Sequence, residues 1–114
     1  MNGKCVIYVR ASARNTDRSQ MLQVVGCASL AKAHGRRIDW VYTDYATGLN
    51  DAGEELQRLL SDCATGEVSA IYISSRDRIS RDEEHLARFT EKTRSHDVAV
   101  IFLEDAALMA VDKV

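Results

Sequence analysis

The sequence predicts an α/β fold of three layers, in which helices cover both faces of a mainly parallel sheet of four to five strands. Short apolar runs rich in β-branched and aromatic residues alternate with amphipathic segments of helical length. The first run, residues 5–9, is continuously apolar, as in a strand that is covered on both faces. Connections of this length are typical of right-handed crossovers between parallel strands.

The individual elements follow from these runs and from the residues at their ends. We expect strands at residues 5–9, 38–43, 68–74 and 98–103. We expect a first helix at residues 18–34 and a third at residues 81–95. The second helix should run from a cap at Asp51-x-x-Glu54 to a stop at Gly66, and a fourth should start at Glu104-Asp105. Thr16 or Asp17 is the expected cap of the first helix. Ser80 and Glu83 form a capping box, which predicts that the third helix begins at Arg81.

Length, charge and cysteine usage limit the class of protein. The 114 residues fit one domain with a single core. The formal net charge is −2, whereas an isolated DNA-binding domain is usually far more basic. If a chain of this charge acts on nucleic acid, another domain or subunit must supply most of the binding affinity. Three cysteines without metal-ligand spacing, together with the lack of a signal peptide, predict a cytoplasmic location.

A cluster of arginines follows the third predicted strand. Arg76, Arg78 and Arg81 lie within six positions, around Asp77 and just before a helix. Guanidinium groups are permanent cations with forked donors that match phosphate, and the free N–H groups of a helix N-terminus favour the same ligand. An isolated Arg-Asp-Arg is more often a solvated turn, so the phosphate interpretation depends on other residues at this edge.

The ends of the first two strands supply those residues. Because ligands bind at the carboxyl ends of parallel strands, Arg10, Ser12 and Asp44 should converge with the arginines. Arg10 and Ser12 are two residues apart, which places them on one face of a strand. No histidine is positioned for a Ser-His-Asp triad, and Gly-x-Ser-x-Gly is absent. A serine surrounded by arginines suits phosphoryl transfer, which implies a phosphodiester substrate.

Four motifs lie between residues 4 and about 105: Tyr8-Val-Arg-Ala-Ser12, Ser19-Gln-Met-Leu-Gln23, Tyr42-Thr-Asp-Tyr-Ala-Thr-Gly48 and Asp77-Arg-Ile-Ser-Arg81. In their residues, order and spacing they resemble the catalytic domain of serine recombinases, the family of resolvases, invertases and large integrases. The resemblance implies a resolvase-like fold with a catalytic domain at residues 1–105. Residues 106–114 would then begin a truncated C-terminal helix for dimerisation and linkage.

The resemblance also implies a mechanism. Ser12 would attack the scissile phosphate to give a 5′-phosphoserine linkage and a free 3′-hydroxyl, without a metal or other cofactor. Arg10, Arg78 and Arg81 would bind and activate the phosphate, with Asp77 orienting them. Gln23 and Asp44 would shape the pocket. The partners would be DNA, recognised mainly by a domain outside this chain, and further copies of the protein in a homodimer and a synaptic homotetramer. The resemblance implies no membrane partner. It implies a bacterial or mobile-element protein that is located at the nucleoid.

One departure from the family pattern affects the expected activity. An arginine that the family usually carries near the start of the second helix corresponds here to Gly53. Arg14, Arg18 or Arg76 could replace that cation as a substrate-binding residue. The alternatives are a catalytically impaired relative that acts as an assembly or regulatory subunit, and a flavodoxin-like binder of a small phosphorylated ligand. The latter needs a glycine-rich loop after the first strand, and Arg-Ala-Ser-Ala-Arg contains no glycine.

Overall fold

A computed structural model describes residues 3–12, 16–46 and 53–106. The strands are β1 (Lys4–Ser12), β2 (Trp40–Ala46), β3 (Val68–Ile73) and β4 (Ala99–Phe102). The helices are α1 (Thr16–Ala33), α2 (Glu54–Ala64) and α3 (Glu83–Ser95). A 3₁₀ turn at Arg76–Arg78, here the arginine turn, separates β3 from α3, and residues 103–106 are helical. None of the helices in these segments has the length and apolar character needed to cross a membrane.

The four strands form one parallel sheet in the order β2-β1-β3-β4. This confirms the predicted α/β class and the parallel pairing. The central strand β1 stays in register with β2 as far as Ser12, which pairs with Ala46. On its other side the pairing with β3 ends at Tyr8 and Ile73. The last residues of β1 therefore extend beyond β3 and leave one edge of their backbone open.

Alternate residues of β1 and β3 fill two apolar layers, one on each face of the sheet. Val6, Tyr8, Ile71 and Ile73 face α2 and α3, where they pack with Leu59 and Phe89. Ile7, Val9 and Tyr72 face α1 and pack with Cys27 and Ala31. Since both faces are covered, the strands are apolar without alternation, which is what made the runs recognisable in the sequence.

Three predicted boundaries at the carboxyl edge of the sheet are wrong. Ser12 and Asp44 were expected beyond the ends of their strands, but both lie inside them. The third helix begins at Glu83, two residues later than predicted, because Asp82 and not Ser80 caps it: the Asp82 carboxylate accepts the N–H of Glu84 at 3.0 Å. The Ser80 hydroxyl accepts the N–H of Asp82 at 3.0 Å, so it stabilises the bend before the helix.

The start of α2 also differs from the prediction. Its N-cap position is Gly53, which has extended backbone angles and no side chain to cap the helix. Asp51, the predicted cap, lies outside the described residues. The cap is instead the carboxylate of Asp44 on β2, which is described with the candidate site.

Candidate active site

The open edge of β1 is closed at Arg10 by the side chain of Gln23 from α1. The Arg10 N–H donates to Gln23 Oε1 at 3.3 Å, and Gln23 Nε2 donates to the Arg10 carbonyl at 3.0 Å. Gln23 is only 4% exposed, and its Nε2 also donates to the Ser19 carbonyl and hydroxyl at 3.2 Å each. The amide thus takes the place of a neighbouring strand and satisfies both backbone groups of Arg10.

Arg78, from the arginine turn after β3, also contacts the backbone of Arg10. Its Nη1 donates to the Arg10 carbonyl at 3.1 Å, so this oxygen accepts from both Gln23 and Arg78. The turn that carries Arg78 is closed by its own backbone: the Arg78 N–H donates to the Ser75 carbonyl at 3.1 Å, and the Ile79 N–H to the Arg76 carbonyl at 3.0 Å. Arg10, Gln23 and Arg78, three predicted site residues from three different elements, are therefore in direct contact.

Asp44 lies next to Arg10 in register on β2 and binds the start of α2. Its Oδ1 accepts the N–H of Glu55 and its Oδ2 the N–H of Leu56, each at 3.0 Å. The Tyr8 hydroxyl donates to Oδ2 at 2.8 Å. Asp44 thus performs the capping that Gly53 cannot, from eleven residues before Glu55. Burial, and then the hydrogen bond to the Asp44 carboxylate, raise the pKa of Tyr8 above its usual range.

Gly53 lies directly against the Asp44 carboxylate. A Cβ atom at this position would be 2.0 Å from Asp44 Oδ2 and 2.4 Å from Asp44 Cγ. Those distances are far inside van der Waals contact, so any side chain here would have to displace the carboxylate. Capping of α2 by Asp44 therefore requires glycine at position 53, where the family pattern has an arginine.

A cavity of about 680 Å³ opens between α1 and the arginine turn. Its lining combines cationic and hydroxyl groups with leucines: Arg18, Ser19, Leu22, Gln23, Ser74, Ser75, Arg78 and Leu103. Two polar atoms at this cavity, Ser74 Oγ and Arg78 Nε, are buried and make no hydrogen bond within the described part of the chain. The cavity thus offers unused hydrogen-bonding capacity beside the guanidinium group of Arg78.

The other predicted site residues have varied surroundings. Ser12 is the last residue of β1, two positions beyond Arg10. Arg81 is exposed in the bend between the arginine turn and α3, and Arg18 is exposed on α1 at the rim of the cavity. The Asp77 carboxylate accepts a hydrogen bond from the Ser75 hydroxyl.

One described residue, Arg76, is not brought to this group, because its guanidinium binds Glu104 and Asp105. Arg14 lies outside the residues that the structure describes. The roles proposed for all these residues stay predictions.

Tyr8 is the member of this group that the sequence analysis missed. Its place in the apolar run of the first strand predicts a core residue, and it is 1% exposed. A buried tyrosine needs a partner for its hydroxyl, and Asp44 is paired in register two residues along from Tyr42, the partner of Tyr8. With the register known, the two would have been predicted to meet.

The chain matches the sequence model of the family described as "Resolvase, N terminal domain" over residues 5–113. No curated protein matches it significantly. Among solved structures, it is similar to the C-terminal catalytic domain of ISC1926 TnpA, an IS607-like serine recombinase, with a TM-score of 0.77, 24% identity, and 96% of this chain and 76% of that chain covered.

Two further structures are similar at slightly higher identity. One is the first ORF in transposon ISC1904 from Sulfolobus solfataricus P2, with a TM-score of 0.73 and 27% identity over 89% of this chain and 67% of that one. The other is the N-terminal catalytic domain of TP901-1 integrase, with a TM-score of 0.74 and 25% identity over 90% of this chain and 78% of that one. Because the family match spans nearly the whole chain, this protein belongs to the serine recombinase family, as a catalytic domain of the resolvase type.

Proposed function

We propose that this chain cleaves and rejoins DNA through a covalent phosphoserine intermediate on Ser12. The observation that carries the proposal is the contact of Arg10, Gln23 and Arg78 at the end of β1, two residues before Ser12. These bonds hold β1 at Arg10 and bring the Arg78 guanidinium group to the Arg10 carbonyl, which supports a role for both arginines near the serine. Family membership supports the same chemistry.

In the proposed step, Ser12 Oγ attacks the scissile phosphorus and gives up its proton. The bond from phosphorus to the 3′-oxygen breaks, and that oxygen takes up a proton to become a free 3′-hydroxyl. The phosphate remains joined to the 5′ end of the downstream strand and to Ser12. Arg10, Arg78 and Arg81 stabilise the added negative charge of the transition state. Rejoining is the reverse attack by a 3′-hydroxyl, so the phosphodiester bond is conserved and no energy source is consumed.

Gln23 and Asp44 support this chemistry through the backbone. Gln23 binds both polar groups of Arg10, and Asp44 fixes the start of α2 next to it. Arg18, at the rim of the cavity, and Arg14 are proposed to contribute cations toward the DNA strand. Asp77, adjacent to Arg78, is proposed to orient the arginines of the turn.

The partners we propose are DNA and further copies of the protein, as a homodimer and a synaptic homotetramer at the bacterial or mobile-element nucleoid in the cytoplasm. Because the net charge is −2, a separate DNA-binding domain supplies most of the affinity and the sequence specificity.

A catalytically impaired relative that serves assembly or regulation is the second candidate. Gly53 favours it, since this position provides no charge and the space for a side chain is filled by Asp44. Losing one charge-assisted contact at a transition state costs about 2–4 kcal/mol, which is about 10²–10³ in rate.

Covalent trapping separates the two candidates. The 114-residue chain is fused to a DNA-binding module of known site and incubated with a nicked duplex that cannot be religated. The expected product is a protein–DNA adduct on a denaturing gel that carries a label placed downstream of the cut. Ser12→Ala should abolish it, whereas Ser61→Ala, a change at an exposed serine near the end of α2, should not. A fusion that binds its site without forming any adduct would contradict the proposal in favour of the impaired relative.

A further inference from the structure

Arg76, the first residue of the arginine turn, is bound to the residues that follow β4. Its Nη1 and Nη2 donate to the two carboxylate oxygens of Asp105 at 2.8 and 2.9 Å, a bidentate pair. Glu104 Oε2 accepts from Nη1 at 3.0 Å and from the Arg76 backbone N–H at 2.8 Å. The guanidinium carbon also lies 4.4 Å from the centre of the Phe102 ring.

The backbone completes this connection, which we name the Arg76 latch: Arg76, Phe102, Glu104 and Asp105. The Glu104 N–H donates to the Ser74 carbonyl at 3.1 Å, so the ends of β3 and β4 are joined by main-chain and side-chain bonds together. On the other side, the Arg76 carbonyl accepts the N–H groups of Ile79 and Ser80 at 3.0 and 3.3 Å. Arg76 therefore links the segment after β4 to the turn that carries Arg78.

The charge of the latch argues against a direct role in holding phosphate. One guanidinium group faces two carboxylates, so the cluster carries no spare positive charge. The hydrogen bond from Arg76 holds the pKa of Asp105 below its usual range, which keeps that carboxylate ionised. A DNA phosphate approaching Arg76 would meet two fixed negative charges.

We propose that Arg76 is a positioning residue, which holds the arginine turn against residues 104–105 and thereby sets the position of Arg78. The inference rests on the proposed function of Arg78 as a phosphate ligand. It replaces the prediction that Arg76 itself binds the substrate in place of the missing cation. It also gives the segment after β4 a way to influence the site, because movement of residues 104–105 would be transmitted to the turn.

The side chains of the latch are partly exposed to solvent, which limits the strength of their ion pairs. The side chains of Arg76, Glu104 and Asp105 are 45%, 41% and 48% exposed. Exposed ion pairs are screened by salt, although bidentate geometry and the ring contact strengthen this one. We therefore expect that breaking the latch slows DNA cleavage about three- to tenfold and does not abolish it.

The two roles of Arg76 predict opposite effects for a change at its partner. In the trapping assay, Arg76→Gln should slow adduct formation three- to tenfold while the dissociation constant for DNA changes less than twofold. Asp105→Asn should slow it in the same direction, and the exchanged pair Arg76→Asp with Asp105→Arg should restore part of the rate. If Arg76 were a phosphate ligand, Asp105→Asn would free its charge and would tighten DNA binding or speed cleavage. That result would overturn the proposal.

The control and a second readout keep the test independent of catalysis. Arg58, an exposed arginine on α2 paired with Glu55 at 3.6 Å, provides the matched change Arg58→Gln, which should leave cleavage unaltered. Amide hydrogen exchange of Arg78, Ile79 and Ser80 should accelerate in Arg76→Gln and in Asp105→Asn, and not in Arg58→Gln. A parent without adduct would contradict the proposed function alone, whereas unchanged exchange at these amides would refute the latch.

Discussion

Replacing Gly53 by alanine tests whether Asp44 is the group that caps α2. A Cβ atom at position 53 would lie 2.0 Å from Asp44 Oδ2, so the carboxylate has to move. It would then lose the N–H groups of Glu55 and Leu56 and the hydroxyl of Tyr8. Hydrogen bonds to charged groups contribute about 1.5–3 kcal/mol each, but the helix N–H groups regain water in part. We expect Gly53→Ala to lower the free energy of unfolding by about 2–4 kcal/mol, and Tm by roughly 10 °C.

The assay is urea unfolding followed by circular dichroism, in a double-mutant cycle with Asp44→Ala. Once the carboxylate is removed, alanine at position 53 meets no collision, so its cost should fall to the level of a simple N-cap exchange, about 1 kcal/mol or less. If the free energy of unfolding of Gly53→Ala alone lay within about 0.5 kcal/mol of the parent value, the reasoning would be refuted. An equal cost in both backgrounds would refute it as well.

The same geometry predicts the outcome of restoring the arginine that the family pattern places here. Gly53→Arg begins with the same Cβ atom and the same displacement of Asp44. We therefore expect a loss of stability similar to that of Gly53→Ala and no gain in adduct formation. If Gly53→Arg raised the rate of adduct formation without loss of stability, Asp44 could not be the obligatory cap of α2.

Two further predictions concern Gln23 and the buried tyrosines. Gln23→Met keeps an extended side chain but removes the acceptor of the Arg10 N–H and one of the two donors to the Arg10 carbonyl, the other being Arg78. We therefore expect a loss of about 2–3 kcal/mol in the free energy of unfolding measured in urea, together with slower adduct formation. An unchanged rate would contradict the positioning of Arg10 by this amide. Burial raises the pKa of Tyr8 and Tyr42 above the unfolded value of about 10, so their contribution to stability is complete below pH 10 and is lost as the pH rises further. Tyr42→Phe should therefore show a shallower alkaline loss of stability than the parent, and equal slopes in unfolding measured from pH 9 to 11 would count against this assignment.

The layers of the fold were predictable because the signals for them are local. β1 and β3 are covered on both faces, which requires continuous apolar runs, and crossovers of helical length between such runs require parallel pairing. The convergence of Arg10, Asp44 and Arg78 at one edge followed from the same topology. That part of the site is a consequence of strand direction alone.

The ends of the elements depended on contacts between distant residues. β1 continues to Ser12 because it pairs with β2 on one side, while at Arg10 the side chain of Gln23, thirteen residues later, occupies the place of a strand on the other side. The cap of α2 comes from Asp44, on a neighbouring strand, and no local pattern around Gly53 could indicate it. The capping box at Ser80 failed for a different reason. Asp82 is a stronger acceptor closer to the helix, and Ser80 was left to bind the N–H of Asp82.

These caps decide which groups at this edge are available to a phosphate. The free N–H groups at the start of the third helix were expected to assist the arginines, but Asp82 accepts from the start of α3, and Asp44 accepts from the start of α2. Glutamates also occupy the first turn of both helices. The N-termini of α2 and α3 are therefore already compensated by carboxylates of this chain. Under the proposed function, the attraction for the scissile phosphate has to come from guanidinium groups, which makes the position of Arg78 the main variable of the site and the Arg76 latch a determinant of rate.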